Sequence, residues 1–393
     1  MRLSRPLTNL GRRVDRLIHI LHSKSSGLMS REDAKLVHLD SPFDLNPGLG
    51  PPARSRSPVA PICSNARVCT ANTGASMSPD GHSKMDVQAL TSDSNFPSLV
   101  SAAWVISNME RVKPKFLDAT WYVQKEEDPV DQFCAERIPG AQFFDLDRIA
   151  DTSVDLPHML PQEDQFAAAA DALGISNDDF VVVYDRQGIF SAPRAWWTWR
   201  VFGHTKVAVL DGGLKAWKDA GGPVDTQTLE RESALAPGQA VDSLRGNERR
   251  YKASLRRGEV RTWQEILKNI EKKEEIVMDA RPAARWRGEA GEPRPGLRSG
   301  AIPNSVNIPW NDCLHNGRLK TKEELAQLFA AAGVDLSQNP KLVASCGSGT
   351  TACILALAAF QVDPSTKPVA IYDGSWSEWG AREDLPIAQG HSK

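Results

Sequence analysis

From about residue 98 onward, short runs of Val, Ile and Leu alternate with longer stretches whose apolar residues recur at helical spacing. Residues 115–119, 180–185, 276–280 and 341–346 have the length and composition of strands buried on both faces, whereas residues 165–172 and 322–332 read as helices. Strand and helix in alternation predict an α/β fold of mainly parallel sheets flanked by helices.

The pattern occurs twice. In the first half, Lys115-Phe116-Leu117-Asp118-Ala119 precedes Ile138-Pro139-Gly140-Ala141, the run at 180–185, and then Leu210-Asp211-Gly212-Gly213-Leu214-Lys215-Ala216-Trp217. In the second, Ile276-Val277-Met278-Asp279-Ala280 precedes Ile302-Pro303-Asn304-Ser305, the run at 341–346, and Tyr372-Asp373-Gly374-Ser375-Trp376-Ser377-Glu378-Trp379. Two similar domains are therefore expected, over residues 97–225 and 253–390. The polar stretch 226–252, rich in Gly, Ser, Arg and Glu, suits a linker.

Residues 1–96 break the pattern and are expected to be a targeting and disordered extension. Ser, Pro, Asn and Gly are scattered through 40–97. At the start, Arg2, Arg5, Arg12, Arg13 and Arg16 interleave with Leu3, Leu7, Leu10, Val14, Leu17 and Ile18, and Asp15 is the only acid before Glu32. A basic, acid-poor segment with helical apolar spacing and no continuous apolar core reads as an organelle transit peptide rather than a secretion signal. A mitochondrial destination is expected, with plastid or cytoplasm as alternatives.

Composition narrows the chemistry. The 393 residues allow two cores, and the net charge of −2 offers no argument for nucleic acid as partner. No apolar run is long enough for a membrane helix. The six cysteines, at positions 63, 69, 134, 313, 346 and 353, lack paired CxxC spacing, so neither a zinc site nor a disulfide framework is expected.

Cys346-Gly347-Ser348-Gly349-Thr350-Thr351-Ala352 lies between a strand-like run and the helical run 353–360. A tight turn entering a helix directs backbone N–H groups at a sulfur and favours its reactive thiolate. A plain buried cysteine is the alternative, but two glycines and three hydroxyls in the next six residues are poor core material. Cys346 is thus the candidate nucleophile. The equivalent loop of the first half, Tyr184-Asp185-Arg186-Gln187-Gly188, has Asp185 there. The first domain is expected to be catalytically silent and to contribute a wall of the cleft.

The duplication, the Asp/Cys exchange and the CGSGTTA loop together resemble the tandem-rhodanese sulfurtransferases, over about residues 98–386. The loop is more similar to that of the members acting on 3-mercaptopyruvate than to those acting on thiosulfate, which place Arg and Lys where Gly347 and Ser348 stand. Thr350 occupies a position where those relatives have Val. The resemblance implies that Arg285 and Arg294, in Arg285-Trp286-Arg287-Gly288-Glu289-Ala290-Gly291-Glu292-Pro293-Arg294, hold the donor's carboxylate and keto oxygen, as a guanidinium fork suits. It also implies that Asp147, His158 and Ser348 form a carboxylate–imidazole–hydroxyl relay, and that Gly347, Gly349, Thr350 and Thr351 help stabilise a persulfide on Cys346. The donor would be 3-mercaptopyruvate or thiosulfate, and the acceptor a thiol such as thioredoxin or glutathione, or cyanide. No metal or organic cofactor is implied.

Other residues read more plainly. Trp196, Trp197 and Trp199 suit core or interdomain packing, Cys353 a buried helix position, and Arg287 and Arg298 surface charges. Trp376 and Trp379 are expected along one side of the cleft. A Cys-based phosphatase would need Arg at 352, where Ala stands. A silent rhodanese-like binding or sulfur-relay module would not need the intact Cys346.

Overall fold

The computed structural model describes residues 97–124, 127–235 and 251–389. The expected targeting segment and the middle of the expected linker lie outside the described residues. The first half contains β1 (Leu99–Ser101), α1 (Ala102–Val112), β2 (Lys115–Asp118), α2 (Pro129–Ala135), β3 (Gln142–Phe143) and α3 (Glu163–Ala172). It continues with β4 (Val181–Tyr184), α4 (Ala192–Val201), β5 (Val207–Asp211), α5 (Gly213–Asp219) and α6 (Arg231–Leu235). The second half contains β6 (Val260–Arg261), α7 (Trp263–Lys272), β7 (Ile276–Asp279), α8 (Ala283–Trp286) and β8 (Val306–Asn307). A short hairpin, β9 (Leu314–His315) and β10 (Arg318–Leu319), leads to α9 (Lys322–Ala331), β11 (Leu342–Ser345), α10 (Ala352–Val362), β12 (Ala370–Tyr372) and α11 (Ser375–Trp379).

Each half builds a five-stranded parallel sheet, ordered β1-β5-β4-β2-β3 in the first and β6-β12-β11-β7-β8 in the second. The repeat read from the sequence is thus a repeat of topology. Strands β4 and β11 are buried along their whole length, as continuous apolar runs in a helix-covered parallel sheet should be. Helices α7 and α9 start on capping boxes, Thr262 with Glu265 and Thr321 with Glu324.

The two halves share one core. Helix α10, Ala-Cys-Ile-Leu-Ala-Leu-Ala-Ala-Phe-Gln-Val, has buried side chains on every face, and α4 packs against it. Trp196 of α4 meets Phe360 of α10 edge to face at 6.2 Å, and the Arg200 guanidinium lies 4.7 Å from the Phe360 ring. The tryptophans of α4 therefore pack as expected. Within the stretch expected as linker, α6 buries Ala234 in the first half's second apolar cluster, and Arg231 pairs with Asp128 and Asp131 of that half. Tyr251 packs on Phe166 and Trp199 of the same half. Among the described residues no helix is long and apolar enough to cross a membrane.

Candidate active site

In both sheets the strands' carboxyl ends carry the loops that matter, as open parallel sheets favour. The loop after β11 begins with Cys346, which is 2% exposed. The N–H groups of Gly347 to Thr351 make no hydrogen bond within the described residues, and α10 begins only at Ala352. The equivalent loop after β4 shows what such a turn can hold. There the Asp185 carboxylate accepts N–H bonds of 2.9 to 3.0 Å from Gln187, Phe190, Ser191 and Ala192. The same backbone design binds its own anion in the first half and presents a sulfur in the second.

Segment 373–377 after β12 braces the cysteine loop. Trp376 and Ser377 donate their backbone N–H groups to the carbonyls of Cys346 and Gly347, at 3.0 and 2.8 Å, and the Ser377 hydroxyl donates to Gly347 as well. The Cys346 N–H is taken by the Ser375 hydroxyl at 3.2 Å. Ser375 has a φ of +49°, a left-handed conformation that non-glycine residues rarely adopt and that here sits at the site. Gly349 needs to be glycine twice over: its φ is +77°, and a Cβ would lie 2.8 Å from Arg194 Nη1. The Cys353 thiol donates to the Gly349 carbonyl at 3.2 Å, which agrees with its expected buried position. Thr350 is buried and its hydroxyl has no partner among the described residues.

The β7–β8 connection supplies both expected arginines. A Cβ on Gly347 would lie 3.4 Å from Arg285 Nη2 and 3.8 Å from Arg294 Nη1, so both guanidiniums border the cysteine loop. They differ in what else they touch. Arg285 donates twice to Glu292, whereas Arg294 makes no hydrogen bond among the described residues. Burial pushes the Arg294 pKa down, and the nearby Cys346 acts against that.

The first half contributes the β3–α3 connection. His158 Nδ1 is 3.1 Å from Asp147 Oδ1, though misaligned for a linear hydrogen bond. Burial lowers the His158 pKa, Asp147 opposes the shift, and Arg194 and Arg294 add to it. The balance favours the neutral imidazole. Its Nε2 has no partner, and the expected contact to the Ser348 hydroxyl is not made in this structure, although Ser348 and His158 are both buried. Of the three residues expected to form a relay, the structure sets Asp147 and His158 side by side. Asp147, Leu156, His158, Arg294, Leu297 and Ser377 line an open cleft of about 600 Å³. A second cavity, between α4 and α10, is about 20 Å³ and admits a water at most.

Several contributors escaped the sequence reading. Trp121, just past β2, donates its indole N–H to Asp147 at 3.2 Å and sets its ring edge-on to His158 at 4.6 Å. Its place at a strand's carboxyl end was the available signal. Trp376 and Trp379, expected along the cleft, are instead fully buried; the Arg281 guanidinium lies 4.0 Å from the Trp376 ring. Arg298 is not a surface charge either. It donates to the carbonyls of Trp379, Gly380, Arg382 and Leu385 and so ties down the turn after α11. Arg287 does stand at the surface, paired with Glu289.

Comparison with known proteins places this arrangement. A rhodanese-like domain model matches residues 101–220 and again 262–382. The chain is 42% identical over 297 residues to "Thiosulfate/3-mercaptopyruvate sulfurtransferase 1, mitochondrial" of Arabidopsis thaliana, covering 74% of this chain and 77% of that one. It is 41% identical over 308 residues to the mouse 3-mercaptopyruvate sulfurtransferase, 76% of this chain and 97% of the relative. The crystal structure of a 3-mercaptopyruvate sulfotransferase from Escherichia coli superimposes with a TM-score of 0.60 at 33% identity, over 71% of this chain and 99% of that one.

Proposed function

Because the chain belongs to the rhodanese family, we propose that it transfers sulfur from 3-mercaptopyruvate, through a persulfide on Cys346, to a thiol or to cyanide, and releases pyruvate. The observation that carries this reading is the juxtaposition at Gly347: a buried cysteine opens a turn of unengaged N–H groups, with Arg285 and Arg294 beside it.

The chemistry balances without an added oxidant. The Cys346 thiolate attacks the donor sulfur while Arg294 and Arg285 orient the carboxylate and keto oxygen. The carbon–sulfur bond breaks and its electron pair leaves on carbon as the enolate of pyruvate. The donor's thiol proton reaches that carbon through neutral His158, with the Ser348 hydroxyl turning to the imidazole once the donor is bound, and gives pyruvate. Asp147 and Trp121 hold His158 for this step. The persulfide anion is received by the N–H groups of Gly347, Gly349, Thr350 and Thr351. An acceptor thiolate, such as that of glutathione or thioredoxin, then attacks the outer sulfur and frees Cys346. Serving as acceptor asks only for a nucleophile small or slender enough to enter the open cleft.

Thiosulfate is the second donor to consider, because the Arabidopsis relative's name couples both donors. Gly347 and Ser348 leave the loop without the added cations that a dianion would call for, which favours mercaptopyruvate. The proposed organisation is a targeting extension over 1–96, a silent domain over 97–225, a connection over 226–252 and a catalytic domain over 253–390. Mitochondrial delivery is the proposed destination of the basic N-terminal segment.

The test is an intact-protein mass spectrum after brief exposure to either donor without acceptor, followed by peptide localisation. Gain of one sulfur at Cys346, faster with mercaptopyruvate and accompanied by pyruvate, is expected, and Cys346→Ser should gain none. Faster gain from thiosulfate would promote the second donor. No gain from either would leave a silent module.

A further inference from the structure

The donor side of the cleft contains a buried carboxylate that the reaction itself does not use. Glu292 sits between two arginines, with Oε1 accepting from Arg281 Nη1 at 2.7 Å and Oε2 accepting from Arg285 Nε at 3.1 Å and from Arg285 Nη2. Its side chain is 1% exposed. Arg281 is held in turn by Asp279, with Nη2 to Oδ2 at 2.6 Å and Nε to Oδ2 at 3.0 Å. These four groups form a neutral set of two guanidiniums and two carboxylates. Arg294, across from them at Gly347, has no such partner.

Two consequences follow from general electrostatics. A guanidinium that donates two hydrogen bonds to one buried carboxylate has its plane fixed, so the edge of Arg285 nearest the cysteine loop is held in place. Its charge is also cancelled at close range, in a setting where water screens little. Asp147 faces the same cleft from the first half, but it is half-exposed and its field is damped by solvent.

We propose that Glu292 is a specificity-determining residue: by orienting Arg285 while neutralising it, Glu292 leaves the donor pocket with one cation that no carboxylate hydrogen-bonds, Arg294, and so selects a monoanionic 2-keto acid thiol over a dianionic donor such as thiosulfate. The assignment rests on the sulfur-transfer reading above and adds the rule by which that site chooses its donor. A second negative charge on the donor finds no cation of its own beside this neutral set.

The experiment compares kcat/KM for thiosulfate and for mercaptopyruvate in the wild-type protein, in Glu292→Gln, and in Arg285→Gln/Glu292→Gln. Glu292→Gln keeps the shape and removes the charge, so the thiosulfate-to-mercaptopyruvate ratio should rise roughly tenfold at low salt and less at high salt. The double variant restores neutrality, and its ratio should fall back toward wild type even though both rates are lower. A ratio unmoved in folded Glu292→Gln, or a shift that persists in the double variant, would overturn the assignment. If Glu292→Gln does not fold, inhibition of the wild-type protein decides. Pyruvate, a monoanion, should inhibit at lower concentration than ketomalonate, a dianion on a similar frame; equal or reversed potency overturns the proposal. Transfer from neither donor by the wild-type protein would instead overturn the sulfur-transfer reading, which separates the two failures.

Discussion

Arg194, in α4 of the first half, and Asp373, just past β12 of the second, lie 2.7 Å apart with both side chains buried. The pair does more than join the halves. Arg194 donates to the His158 carbonyl, and the other Asp373 oxygen accepts the Leu160 N–H at 2.8 Å, so the two grip the chain at His158 and just after it. His158 needs that grip, because its φ of +61° is strained for a residue with a side chain. An ion pair between the two halves thus fixes the segment that holds His158.

Removing one partner strands the other charge in a buried place, which costs about 3–5 kcal/mol. Arg194→Met should therefore lower the thermal midpoint sharply and reduce sulfur transfer, whereas Arg194→Lys should recover part of the stability. Calorimetry beside a turnover assay checks this. An Arg194→Met variant as stable and active as the parent would show that the pair holds nothing.

The pH profile follows from His158. Burial sets its pKa below the usual 6.5, and Asp147 partly reverses that. If the neutral imidazole is the active form, activity falls as acid protonates it. Asp147→Asn removes the opposing charge, so the His158 pKa drops further and the acid limb of kcat/KM should move to lower pH. A limb that moves to higher pH, or stays put, would count against His158 as the group responsible.

Stability should carry its own pH signature through His204. Burial pushes this imidazole down to about 4, and its Nε2 lies 3.1 Å from the Asp179 carbonyl. Between its unfolded value of about 6.5 and that folded value the unfolded chain binds the extra proton. Stability is then full above the unfolded value and declines as pH falls through this window, by a few kcal/mol in all. His204→Phe should flatten that part of a denaturation curve measured against pH. An equally steep decline in the variant would assign the effect elsewhere.

Thr350 offers a gain. Its buried hydroxyl lacks a partner, and replacing such a group by an apolar isostere recovers about 1–3 kcal/mol of desolvation. Thr350→Val should raise the unfolding midpoint and leave persulfide formation at Cys346 intact. A lower midpoint would mean that the hydroxyl has a partner after all.

What the sequence determined by itself was everything local or periodic. Apolar runs of strand length placed β2, β4, β7 and β11, and the duplicated order of motifs led to two like domains. The Asp185/Cys346 exchange was legible because it compares one loop with its own repeat. The tertiary structure alone decided how charges meet. Glu292 is seven residues from Arg285 and reads as one more acid in a polar stretch, until folding buries it between two guanidiniums. Arg194 and Asp373 lie 179 positions apart by their numbering and show no pattern that links them. Trp376 and Arg298 were misplaced for the same reason, since periodicity tells which residues are apolar or charged but not which face of a folded domain will cover them. Burial and pairing arise from long-range packing, and they settle which ionic side chains serve the cleft and which hold the frame.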